Sequence, residues 1–74
     1  MQYQLWDTES GNLLTFTSSR EDVLTVVRRT LATDGRAAVS AWELIAVTDA
    51  EHGDSLAFGD DLAALAVARA SEAV

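Results

Sequence analysis

The chain contains no cysteine and no lysine, a single histidine, and no long run of apolar residues. The missing cysteines exclude disulfide staples and thiolate zinc sites alike. His52 cannot by itself anchor a site built from several histidines. No apolar stretch approaches the ~18–20 residues that cross a bilayer. The opening Met1-Gln2-Tyr3-Gln4-Leu5 has neither the basic start nor the apolar core of a signal peptide. No membrane role and a cytoplasmic location are therefore expected. Small folds compensate for thin cores with disulfides, metals or oligomerisation, and only the last remains open here.

Apolar material is plentiful, at 49% of 74 residues, more than a disordered chain carries. This length allows one domain, which buries only about 60–65% of the surface its unfolded form exposes. Charge is strongly unbalanced. Twelve acidic residues against five arginines give a formal net charge of −7. Such a surface repels phosphate backbones, so no nucleic-acid partner is expected. It suits solubility or attraction to a basic protein.

Tyr3-Gln4-Leu5-Trp6-Asp7 and Leu13-Leu14-Thr15-Phe16-Thr17 alternate with the two-residue period of half-buried strands, and Thr8-Glu9-Ser10-Gly11 between them is turn material. Pairing Asp7 with Asn12 gives a four-residue loop. That register sets Leu5 opposite Leu14 and Tyr3 opposite Phe16 on one face, with Trp6 opposite Leu13 and Gln4 opposite Thr15 on the other. Ser18 and Ser19 ahead of Glu21 and Asp22 are capping signals for a helix over about 19–34. Val23, Leu24, Val26, Val27, Thr30 and Leu31 share an arc of about 160° on it, and Gly35 follows as a C-terminal cap.

Strand character returns from Ala38 to Thr48, then a turn over Asp49–Asp54 and a short strand Ser55–Phe58. Two registers compete. One sets Val47 beside Leu56 and Ile45 beside Phe58; the other groups Trp42, Leu44 and Ala46 with Leu56 and Phe58. A strand that is apolar on both sides is usually covered on both sides. Gly59-Asp60-Asp61 opens a last helix with an aspartate at its N-cap, and Leu62, Leu65 and Ala66 form its buried stripe. The expected fold is α+β, β-β-α-β-β-α, with an antiparallel sheet in the order 2-1-3-4 and both helices on one face.

Catalytic chemistry finds no parts to work with. Nucleophilic catalysis needs a serine, cysteine or threonine activated by a base, and the lone histidine sits in an acidic turn with only Ser55 nearby. Phosphate cradles need clustered glycines and often a lysine. Asp60-Asp61 and Glu21-Asp22 read as helix starts rather than acid–base pairs. A calcium loop beginning at Asp49 would need glycine sixth and glutamate twelfth, but finds Asp54 and Asp60. No enzyme, cofactor or metal is expected. Arg28, Arg29 and Arg36 form the only basic cluster; two of them lie on the polar side of the first helix beside Glu21 and Asp22, and local ion pairing accounts for the cluster better than a nucleic-acid patch.

Trp6 and Leu13 share the face opposite Tyr3 and Leu5. With both helices on the latter face they stay uncovered, joined either by Trp42 or by Ile45 and Val47. An apolar patch there, with a tryptophan in it, marks a protein–protein surface. The interface residues expected are Trp6, Leu13 and Trp42, in a homo-oligomer. The competing possibility is that the second helix or a terminus folds across this face.

The run Tyr3-Gln4-Leu5-Trp6-Asp7-Thr8-Glu9-Ser10-Gly11-Asn12-Leu13-Leu14, with Phe16, Ser18 and Val27-Arg28, resembles small uncharacterised stand-alone bacterial proteins over most of the chain. That resemblance implies no activity or site. The strand-strand-helix-strand portion also resembles the degenerate half-ribonuclease-H unit of HicB-type antitoxins, though it lacks their proline- and glycine-rich segment after the first strand and any added DNA-binding segment. The resemblance implies an alternative role as an acidic inhibitor of a basic nucleic-acid-binding protein.

Overall fold

A computed structural model describes residues 2–48 and 53–72. Its elements are β1 (Gln2–Asp7), β2 (Asn12–Thr17), α1 (Arg20–Asp34), a 3₁₀ turn (Arg36–Val39), β3 (Trp42–Val47), β4 (Gly53–Phe58) and α2 (Asp60–Glu72). The four strands form one antiparallel sheet in the order β2-β1-β3-β4. Leu5, Leu44 and Ala57 from the sheet join Val23, Leu24 and Val27 of α1, Val39, and Leu62, Ala63 and Ala66 of α2 in a single core. Both helices therefore cover the same face, as the sequence implies. A smallest principal extent of 16 Å leaves room for one sheet and one helix layer.

The first turn follows from Asp7, whose carboxylate accepts from the Glu9 amide and the Ser10 hydroxyl, both at 3.0 Å. The Gly11 amide returns to the Asp7 carbonyl at 2.8 Å, with Gly11 at φ 74°. Nothing lies within 4 Å of where a Cβ would sit on Gly11. Asparagine tolerates this conformation, so Gly11→Asn is expected to change unfolding free energy by less than about 1 kcal/mol in a urea titration.

Asp7 pairs with Asn12 and Trp6 with Leu13, as expected. Beyond that point the register shifts by one residue, and the expected pairs Leu5–Leu14 and Tyr3–Phe16 are replaced. Leu5 pairs with Thr15, Gln4 with Phe16 and Tyr3 with Thr17, leaving Leu14 as the extra residue of a bulge. The helix-side role of Thr17 gives the physical reason. Its hydroxyl oxygen accepts from the Ser19 amide at 3.2 Å, and the hydroxyl reaches Asp22 Oδ2 at 3.4 Å. Thr17 thus links the end of β2 to the first turn of α1, and the bulge supplies the half-turn that aims it there.

Ser19 caps α1, its hydroxyl accepting from the Asp22 amide at 3.4 Å, and Gly35 ends the helix at φ 85° with its amide on the Leu31 carbonyl. Ala63 and Ala66 offer α2 little bulk where it meets this helix. Arg28 Nη1 reaches across to the Ala66 carbonyl at 3.1 Å, while Nη2 donates to Thr25 and stands 4.0 Å from Glu21. Of the expected local ion pairing, the Arg28–Glu21 contact is present, with an interhelical bond that charge patterning alone did not reveal.

Strand character expected from Ala38 begins only at Trp42. Val39 is buried in the 3₁₀ turn, closed by the Ser40 amide on the Ala37 carbonyl at 3.3 Å. The last helix begins without the expected aspartate cap. Gly59 accepts the Ala63 amide at 3.0 Å from the cap position, placing Asp60 and Asp61 in the first turn. There the carboxylates complement the positive end of the helix dipole. No helix among the described residues is long and apolar enough to cross a membrane.

Candidate interaction surface

Strand alternation carries Tyr3, Leu5, Trp42, Leu44, Ala46 and Ala57 to the helix side. No other described element covers the opposite side. Its first row, read across the sheet from β2 to β4, is Leu13, Trp6, Glu43 and Phe58. Its second row is Phe16, Gln4, Ile45 and Ser55, with Val47 beyond Ile45 on β3.

Trp6 and Leu13 therefore stand side by side as expected. Trp42 does not join them. It pairs with Asp7 and packs against the buried core beneath the helices, because β3 begins in register with that strand end. The pair Ile45 and Val47 takes the open side instead. Neither register expected for the second hairpin holds. Glu43 pairs with Phe58 and Leu44 with Ala57, then a second bulge at Leu56 shifts the ladder so that Ile45 meets Ser55 and Val47 meets Gly53. Gly53 also belongs to β4, which is longer than expected. A Cβ on Gly53 would lie 2.8 Å from Ile45 Cγ2, so the strand closes tightly over that side chain.

The two bulges enlarge the patch. They move Phe16 and Phe58 to the side of Trp6, where these residues are 55% and 48% exposed and Leu13 is 44% exposed. Sequence reasoning put Phe16 on the helix side, and placed Phe58 beside Ile45 in only one of the two registers it left open. The one signal was the Leu13-Leu14 doublet, which breaks an otherwise strict alternation.

Polar groups on this face are few and satisfied locally. The Trp6 indole Nε1 donates to Gln4 Oε1 at 2.9 Å, two residues away on the same strand. Its polar edge is thus occupied and its ring presents hydrocarbon. Ser55 donates to Glu43 Oε2 at 2.9 Å. Glu43 is the only ionisable side chain among the described residues of this face. Glu9, Glu21, Asp22, Asp34, Asp60 and Asp61 are exposed at the first hairpin loop and on the helices.

Among the described residues no charged or polar side chain is buried, and no group of three His, Asp or Glu residues could hold a metal ion. Asp49, Glu51 and His52 of the acidic turn lie outside the described residues. No protein-family model, curated protein or solved structure matches the chain.

Proposed function

We propose that the chain is a non-catalytic interaction module that pairs with a second copy of itself, open sheet face against open sheet face. The observation that carries this reading is the contiguous patch of Leu13, Trp6, Phe16, Ile45, Val47 and Phe58 on the side away from both helices. Isolated apolar residues on a surface need no explanation, but a contiguous sheet of them does.

Size and charge support a copy of the same chain as the occupant. Four strands about 4.8 Å apart and six residues long at about 3.4 Å each span a plan area of roughly 400 Å². Accessible area exceeds plan area on a corrugated face. Two copies therefore cover at least about 800 Å², which puts such a pair at the small, weak end of protein–protein contacts. Two chains of net charge −7 repel each other least where their carboxylates are fewest, and the described residues of this face carry one. Sheets that pack in this way interdigitate side chains about 10 Å apart.

Phe16→Ser tests the reading. Phe16 is already 55% exposed, so the fold loses little. In a two-fold dimer each substitution counts twice. At about 1 kcal/mol per copy, association weakens roughly thirtyfold. Light scattering and sedimentation across concentration check this. A chain that stays monomeric to about 1 mM, or a dimer indifferent to the substitution, would falsify the reading.

The alternative role, masking a basic nucleic-acid-binding protein, draws on the exposed carboxylates of the helix side instead. It requires a heteromeric complex that salt dissociates.

A further inference from the structure

We propose that face-to-face pairing takes up protons at Glu43, so that acidification tightens the dimer. The inference rests on the reading above and concerns the regulation of that same surface. Glu43 stands on the central strand β3, between Trp6 on β1 and Phe58 on β4. A copy docked on this face covers it whatever the crossing angle. In the free chain the half-buried carboxylate is open to water on one side and accepts from the Ser55 hydroxyl.

Docking removes the water, and the described residues of this face supply no cation. The groups facing Glu43 from β1 are Trp6 and Gln4, from β2 Leu13 and Phe16, and from β4 Phe58 and Ser55; none is basic or titrates in the physiological range. Arg20, Arg28 and Arg29 belong to α1, Arg36 to the 3₁₀ turn and Arg69 to α2, and these elements pack on the other side of the sheet. A second copy presents the same groups, including its own Glu43. An unpaired carboxylate in an apolar interface is neutralised rather than buried as a charge.

The sign follows from linkage. Covering the Glu43 carboxylate with apolar groups disfavours its charged form, so the dimer binds more protons than two separate chains and is favoured as pH falls. Up to two protons are taken up per dimer. Ser55 then changes role, accepting from the protonated carboxyl instead of donating to it.

The experiment measures dimer dissociation constants for the wild type and Glu43→Gln at about pH 5.5 and pH 7.5, at fixed ionic strength, by sedimentation equilibrium. Wild-type association is expected to weaken at least about tenfold on going to the higher pH. Glu43→Gln is expected to associate at least as tightly as the wild type at pH 5.5 and to change several-fold less between the two pH values. Protonation of the remaining carboxylates also lowers net charge, but that contribution is common to both proteins and cancels in the comparison. A dimer whose pH dependence is the same with and without Glu43 overturns the inference and leaves the dimer reading standing. Absence of a dimer in both proteins at both pH values overturns the dimer reading and this inference with it.

Discussion

Leu44→Ala is expected to lower the melting temperature by about 12–24 °C, because truncating a buried leucine costs roughly 3 kcal/mol and each kcal/mol moves a domain this small by about 4–8 °C. Leu44 is fully buried on a central strand, between Leu5 and Ala57 and beneath both helices. Ala57 is already small and cannot expand into the space left behind. A domain of this length has about 4–11 kcal/mol of stability in total, so the variant sits near the edge of folding at 37 °C. Ile45→Ala, one residue along on the open face, removes as many carbon atoms from a half-buried site and serves as the comparison. Thermal unfolding followed by circular dichroism gives both values. A Leu44→Ala shift smaller than that of Ile45→Ala would show that the core lies on the wrong side of the sheet.

Gly59→Ala is expected to cost roughly 2–4 kcal/mol, from two separate causes. Gly59 has φ 58°, which an alanine adopts only at a cost of about 1–2 kcal/mol. Its Cβ would also lie 2.8 Å from the Ser40 carbonyl oxygen, a backbone atom with no rotamer to yield. Relief would require moving either the 3₁₀ turn or the start of α2. The Gly59 amide donates to the Trp42 carbonyl at 2.9 Å and its carbonyl opens α2, so either movement disturbs a hydrogen bond. Chemical denaturation compares this variant with Gly11→Asn, whose positive φ has open space around it. Equal losses at the two positions would mean that the approach to Ser40 is not limiting.

Local chemistry made much of the fold readable in advance. Asp7, Gly11 and Asn12 announce a turn through short side chains and a glycine, and the loop they close has the expected length. Ser19 and Gly35 bracket α1 for similar reasons. What resisted reading depended on partners distant in sequence or on departures from strict alternation. Leu56 looks like an ordinary member of an alternating strand and Leu14 stands out only as half of a Leu-Leu doublet, and their extrusion follows from what lies beyond them: Thr17 entering α1, and Phe58 leading to the Gly59 turn. Val39 has strand propensity, yet a 3₁₀ turn buries it under the helices. Trp42 could have faced either way on composition, and pairing with Asp7 decides its side. At the candidate surface, Trp6 and Leu13 were found from the part of the hairpin before the irregularity, while Phe16 and Phe58 lay past one.

The two irregularities fall on β2 and β4, which are the outermost strands. A strand from another molecule laid along either rim would find the row of free amides and carbonyls interrupted midway, where the extra residue increases the local twist and spoils its spacing. Lateral extension into a ribbon is thereby discouraged on both flanks. Stacking on the broad face is the geometry left open, and under the proposed face-to-face pairing a stack of two covers that patch on both members, so growth would end at a pair.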